Sequence, residues 1–174
     1  AWPRAAAAAA ALLAALLVVA GVVADDTGAS ITHEWPLGAN SAGPFPGWFY
    51  GAGQLSCLVA VAALAAVTLR AVLHRSTVVS ADVATDELLR RASVARVSRL
   101  VVAGCLVTLG ADLLIGGLAV GNAFRDTWGH GVGTAMVVLG PLTLLAGLVS
   151  LLVPVPRLPA YVVPDAPATS TPVS

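Results

Sequence analysis

One carboxylate lies inside an apolar stretch, where a charge is costly. Asp112 belongs to the segment TLGADLLIGG, residues 108–117, whose other side chains are apolar, small or weakly polar. A charged side chain at the centre of a membrane helix costs about 2.5–3.5 kcal/mol on insertion scales. Helical spacing places Gly104, Thr108 and Gly116 on the face that carries Asp112. The cost makes this face the first candidate for a functional site.

Another apolar stretch supplies hydrogen-bond partners at a similar depth. Counting inward from Trp48 brings Ser56 to the level of Asp112, with Gln54 about one turn higher. A protonated Asp112 that bonds to Gln54, Ser56 or a carbonyl would lock two helices together. The alternative is a proton or ion relay, but relays use several ionisable groups in series. Because the apolar stretches contain only this one, we favour the lock or a subunit contact.

A second group of candidate residues lies outside the apolar stretches and consists of histidines and acids, which bind metals in other proteins. His33 and Glu34 lie in one connecting segment, and Asp126 and His130 lie four residues apart in another. Imidazole and carboxylate ligands suit zinc or copper. The sequence does not fix how the two segments are placed, and surface acids and histidines are common. We therefore predict no metal, and no haem either, because no histidine lies within the apolar stretches.

Motifs for catalysis or nucleic-acid binding are absent from the sequence. There is no catalytic Ser-His-Asp order, phosphate loop or HExxH segment. Cys57 and Cys105 both lie in apolar runs without a CxxC pair, which argues against a redox site. No basic patch with interleaved aromatic residues indicates nucleic acid as a partner. We predict no catalytic activity of the protein's own and no cofactor.

The composition is that of a membrane protein. Of 174 residues, 58% are hydrophobic and 10% are charged, against about 25% charged in ordinary soluble domains. The mean hydropathy is +0.90. A water-soluble domain of this size would lack polar residues for its exterior, whereas a lipid bilayer accepts an apolar surface. The predicted fold class is therefore an all-α integral membrane protein.

Four stretches match the length of about 20 apolar residues that a transmembrane helix needs. They cover residues 5–24, 48–69, 100–120 and 131–153. The first could be a signal peptide, but its apolar run exceeds the 7–15 residues typical of a signal core, so we expect a retained span. The predicted domain is a four-helix transmembrane bundle over residues 1–153.

Arginine positions predict the orientation of this bundle. All nine basic residues are arginines, and Arg125 is the only one in the connections 25–47 and 121–130. The others are Arg4, Arg70, Arg75, Arg90, Arg91, Arg96, Arg99 and Arg157. Positive residues stay on the cytoplasmic side. We predict cytoplasmic termini, outward-facing loops 25–47 and 121–130, and a location in the cell membrane.

The connecting segments differ in expected structure. Loop 25–47 is rich in Gly and Pro, so we expect turns, with room for a short helical piece. Residues 85–99 form a predicted juxtamembrane helix with the ion pairs Asp86–Arg90 and Glu87–Arg91, continuing into the third span. The tail, 154–174, is rich in Pro, Ser and Thr, which is typical of disorder.

The arginines of the juxtamembrane helix favour anionic lipid headgroups as partners. They are Arg90, Arg91, Arg96 and Arg99. A docking surface for a cytoplasmic protein is the alternative use of this helix.

Glycines of the fourth stretch predict close helix packing. Gly133, Gly140 and Gly147 recur every seven residues, and small residues let membrane helices approach one another. We predict that spans three and four pack tightly, with the Asp112 face turned towards this surface. Pro141 interrupts the backbone hydrogen bonds of the fourth span and predicts a kink.

The functional prediction rests on two features: the sequence has few side chains that could do chemistry, and its helices carry glycine-rich faces suited to packing. We expect a non-catalytic accessory or scaffold subunit of a larger bacterial membrane complex, with a respiratory or transport complex as a natural host and other membrane subunits as partners. The absence of lysine and the abundance of Ala, Val, Gly and Leu indicate a GC-rich, bacterial coding sequence. The alternative is a small proton- or ion-coupled transporter or channel that uses Asp112.

Overall fold

The computed structural model describes residues 2–74, 83–125 and 128–154. Over these residues the chain forms four long helices, with a two-stranded hairpin between the first two. The helices are α1 (Trp2–Val23), α2 (Trp48–His74), α3 (Val83–Ala123) and α4 (Trp128–Leu152), and the strands are β1 (Ile31–Trp35) and β2 (Gly38–Ala42). All four helices are long and apolar enough to cross a membrane. The predicted architecture of four long helices, each apolar enough to span a membrane, is confirmed.

α3 is one unbroken helix that joins the predicted juxtamembrane helix to the third span. Its 41 residues extend about 62 Å, twice the thickness of a bilayer's hydrocarbon core. Both predicted ion pairs form in its first turns: Arg90 Nε lies 2.7 Å from Asp86 Oδ2, and Arg91 Nε lies 2.8 Å from Glu87 Oε1. The first spans the partly buried side of the helix, and the second is exposed.

α3 is also the centre of the bundle, because it contacts each of the other three helices. Leu13 and Leu17 of α1 are buried against Cys105 and Leu109 of α3. α2 lies at the periphery, where Gly51 is its only buried residue. This uneven packing leaves a space between α2 and α3 that matters for the site below.

α3 and α4 form the closest helix pair. A Cβ added at Gly140 would lie 2.7 Å from the carbonyl oxygen of Gly110, and one added at Gly117 would lie 2.8 Å from that of Gly133. At Gly147 the added Cβ would lie 3.1 Å from the backbone of α3. Only glycine permits such approaches between backbones. The predicted tight packing of these two helices is confirmed.

Pro141 lies within α4, which continues through it as a single helix. The hydroxyl of Thr143 donates to the carbonyl of Leu139 at 2.8 Å, close to the backbone bond that proline removes. The kink itself stays a prediction.

The connection between α1 and α2 corrects one expectation: its ordered piece is a hairpin and not a helix. The strands pair in antiparallel register, with Ile31 opposite Ala42 and Trp35 opposite Gly38. The β-branched pair Ile-Thr at the start favours a strand, and Ile31 gains burial among apolar residues at the ends of α1 and α3. Asn40 Nδ2 donates to the carbonyl of Asn122 at 2.7 Å. We call this end of the bundle the hairpin end.

At the opposite end, which we call the arginine end, arginines tie the helices together. Arg99 of α3 is only 6% exposed, and its Nη2 donates to the carbonyl of Ser150 in α4 at 2.8 Å. Its guanidinium carbon lies 5.5 Å from the ring centre of Trp2 in α1. Arg90 Nη1 donates to the carbonyl of Leu73 at 2.7 Å, near the end of α2. Arg99 therefore acts inside the protein, a role that differs from the headgroup contact predicted for it.

Candidate functional site

The predicted intramembrane carboxylate has a partner across a helix interface. Asp112 of α3 is only 3% exposed, and Gln54 Nε2 of α2 donates to Asp112 Oδ1 at 2.9 Å. Depth counting along the two helices had indicated Gln54 as a possible partner. The bond is the one polar side-chain contact between α2 and the membrane-depth half of α3 among the residues that the structure describes.

Each of these two side chains has a second oxygen without a hydrogen-bond partner. Asp112 Oδ2 and Gln54 Oε1 are both buried and unpaired. An unpaired buried acceptor costs about 1–3 kcal/mol, so a donor at this place is strongly favoured. A proton on the carboxyl is one such donor, because a carboxylic acid and an amide can each donate to the other. The geometry therefore suits a neutral acid–amide pair or a bound donor group.

A small cavity lies beside Asp112 under the chain segment that enters α2. It measures about 240 Å³. Its lining includes Pro44, Phe45, Pro46, Tyr50, Gln54, Asp112 and Ile115. Phe45 and Pro46 are themselves buried, so the segment covers the carboxyl from the hairpin end.

A larger groove runs between α2 and α3 towards the arginine end. It measures about 520 Å³ and is mainly apolar, with Leu13 of α1 as part of its lining. Gly53 of α2 and Gly104 of α3 both line it, and a Cβ added at either would meet no atom within 4 Å. These glycines thus border open space, unlike those between α3 and α4. Gln54 lines both the groove and the smaller cavity.

The other residues predicted on the Asp112 face also turn towards α2 and its entry segment. Thr108 lines the groove, and its hydroxyl donates to the carbonyl of Gly104 at 3.0 Å. At Gly116 an added Cβ would lie 3.2 Å from Pro46. This face meets α4 only at Gly116, where the added Cβ would lie 3.5 Å from the side chain of Met136. The close backbone contact with α4 is made by a different glycine series of α3, which includes Gly110.

Ser56, the other partner considered for Asp112, does not reach it. Its hydroxyl is exposed and donates to the carbonyl of Ala52 one turn earlier, at 2.8 Å. The two thiols are both free, with Cys57 exposed and Cys105 buried.

Three of the four metal-ligand candidates lie within the part of the chain that the structure describes. His33 packs against Phe124, with ring centres 4.5 Å apart, while Glu34 is exposed on the same strand. His130 Nδ1 lies 3.2 Å from the carbonyl oxygen of Gly121. Asp126 lies outside the described residues, as does most of the 154–174 tail. Over residues 2–74, 83–125 and 128–154, no three His, Cys, Asp or Glu side chains come together as a metal site.

The turn after α1 is a polar cluster that the sequence reasoning missed. Ser30 Oγ donates to Asp25 Oδ2, and Thr27 Oγ1 donates to Asp25 Oδ1 at 2.6 Å. Hydrogen bonds from Ser30, and then from Thr27, hold the pKa of the Asp25 carboxyl below its ordinary value. Gly28 adopts a positive φ of 66° in this turn. Asp followed by Thr and Gly is a recognisable turn signal.

The fold and the site define a class: a helical protein with four membrane-span candidates and a carboxyl–amide pair between two of them. Comparison with known proteins adds no relative, because no family model, curated protein or solved structure is similar enough to match the chain.

Proposed function

We propose that this protein is a non-catalytic accessory or scaffold subunit of a larger bacterial membrane complex, such as a respiratory or transport complex. The observation that carries the proposal is the partner of Asp112. Asp112, the one Asp, Glu, His or Arg side chain in the four predicted spans, is bonded to a neutral amide on a neighbouring helix, which is the arrangement of a lock. Hydrogen bonds of this kind between membrane helices contribute about 0.6 kcal/mol on average.

Purification in a mild detergent tests the proposal. We expect other membrane proteins to co-purify at fixed stoichiometry, identified by mass spectrometry, and we expect the Asp112→Asn variant to retain them. Recovery of the protein alone under several mild detergents, with full activity of its own in a flux assay, would contradict it.

A second candidate function is supported by the unpaired oxygen of the same residue. Asp112 Oδ2 is a buried acceptor beside a cavity of about 240 Å³, which is where a proton or cation could be held. A small transporter or channel that uses Asp112 would give pH-dependent flux in liposomes containing only this protein. The flux would be lost in Asp112→Asn, the variant that the scaffold proposal expects to be harmless.

We propose cytoplasmic termini and a location in the cell membrane, supported by the arginine distribution. Trp2, Leu73 and Ser150 all contact arginines of α3 at the arginine end, while Asp25 lies at the other end. Arg91 and Arg96 are exposed on α3 and are the clearest members of the set proposed to contact anionic headgroups, Arg90 included.

A further inference from the structure

The groove between α2 and α3 is a feature that a lock between helices does not require. A tightly packed helix pair would bring glycines against backbone, as α3 and α4 do. Gly53 and Gly104 instead border a space of about 520 Å³, within the range of small-molecule sites. The groove therefore exists because the glycines Gly53 and Gly104 have no side chains to fill the space between α2 and α3.

The shape of the groove indicates how an occupant would enter. Val61 and Leu100 line it and are 48% and 64% exposed, so the groove opens sideways on the outside of the helix bundle. In a chain that spans a bilayer, this opening faces hydrocarbon. Its lining is mainly apolar, and Leu13 of α1 is almost fully buried behind it. A lipid-soluble molecule can enter from the membrane, whereas an aqueous solute is disfavoured.

The polar end of the groove defines the head group of that molecule. Tyr50 and Gln54 line both the groove and the cavity that contains Asp112, so two polar side chains of α2 are shared by the two spaces. The Gln54 amide nitrogen already donates to Asp112, and the oxygens left unpaired, Gln54 Oε1 and Asp112 Oδ2, are acceptors. The complementary ligand group is a hydrogen-bond donor.

We propose that the groove binds a membrane-soluble alcohol, a molecule with one apolar chain and a hydroxyl head group, with the hydroxyl at Gln54 and Asp112 and the chain along Gly53 and Gly104. The proposal goes beyond the scaffold function and does not depend on the identity of any host complex.

A pair of photoreactive probes tests the proposal on the purified protein in phosphatidylcholine nanodiscs. One probe is dodecanol with a diazirine near its methyl end, and the other is the methyl ether of the same molecule, which cannot donate. We expect the alcohol to label the groove peptides around Cys57 and Leu100 about fivefold more than the ether does, as one net hydrogen bond predicts. An excess of unmodified dodecanol should suppress this labelling.

Matched glycine variants distinguish a site from general lipid contact. Gly104→Leu fills the groove, whereas Gly131→Leu adds the same side chain on α4 at a position that also has nothing within 4 Å. We expect labelling to fall to background in Gly104→Leu and to persist in Gly131→Leu. If Gly104→Leu is not recovered as a folded protein, Gly53→Leu makes the same test. Equal labelling by alcohol and ether, or labelling that survives the filled groove, would overturn the proposal.

Discussion

Asp112 and Gln54 act through hydrogen bonds, which an asparagine can make as well as a protonated aspartate. In Asp112→Asn, the new amide group has a donor for Gln54 Oε1 and keeps an acceptor for Gln54 Nε2, so both buried oxygens of the pair can be satisfied. We expect its stability against thermal unfolding in detergent to equal that of the unmodified protein or to exceed it slightly.

Asp112→Ala is the matched contrast, because it leaves Gln54 without a partner. We expect it to lower the free energy of unfolding by about 1 kcal/mol, with Gln54→Leu giving a similar loss and the double variant little more. If Asp112→Asn proves as damaging as Asp112→Ala, the negative charge is needed and the lock is excluded.

Asp25 makes the stability of the hairpin end depend on pH. Hydrogen bonds from Ser30 and Thr27 lower the pKa of this carboxyl in the folded protein, so its ionised form stabilises the fold above the carboxyl's ordinary pKa. The contribution is lost as the pH falls through the lowered folded value. The difference in Tm between the unmodified protein and Asp25→Asn should therefore be present at pH 7 and disappear in acid. Asp26→Asn, which removes the same charge one residue away, is the control, and an equal effect there would contradict this origin.

At the level of helices, the α3–α4 contact gives a prediction about glycine. A Cβ at Gly140 would meet the Gly110 carbonyl oxygen at 2.7 Å, so Gly140→Ala forces two backbones apart. We expect a loss of about 1–3 kcal/mol in the free energy of unfolding, measured by detergent-denaturant titration. Gly131→Ala, where nothing lies within 4 Å, should be neutral or mildly stabilising because alanine favours helices. Equal behaviour of the two variants would show that this contact is not close in the membrane.

The helices themselves were predictable from the sequence, because a run of about 20 apolar residues indicates a transmembrane helix. The two ion pairs in the first turns of α3 were also predictable from their i,i+4 spacing. Counting depth named Gln54 as one possible partner of Asp112 but placed Ser56 closer to its level, so the sequence did not decide between them. The face of α3 that meets α4 was not predictable: Gly104 and Gly116 on one side resemble Gly110 and Gly117 on the other. Spacing alone does not say which glycines border backbone and which border open space.

Local signals at the helix ends were equally ambiguous. An arginine near the end of a membrane span, such as Arg99, suits lipid headgroups and the carbonyls of a neighbouring helix end equally well. The hairpin strands are only five residues long and are flanked by Gly and Pro, so the composition of this segment indicated turns. The pairing of Ile31 with Ala42 could therefore not be predicted from the sequence.

For the whole molecule, orientation is the property that an accessibility experiment can decide. Cysteines introduced at Ser41 on the hairpin and at Glu87 on α3, with Cys57 and Cys105 replaced by alanine, lie at opposite ends of the bundle. In intact cells a membrane-impermeant maleimide should label Ser41→Cys at once and Glu87→Cys only after lysis. The reverse pattern would place the arginine end outside.

The central position of α3 also bears on how the chain assembles during synthesis. α1 and α2 contact each other and α3, whereas α4 makes nearly all its helix contacts with α3. The first three helices can therefore come together before the fourth leaves the ribosome. A chain stopped after Arg125 would still contain the hairpin, the Asp112–Gln54 pair and the groove, with the last helix as a late addition to an already formed core.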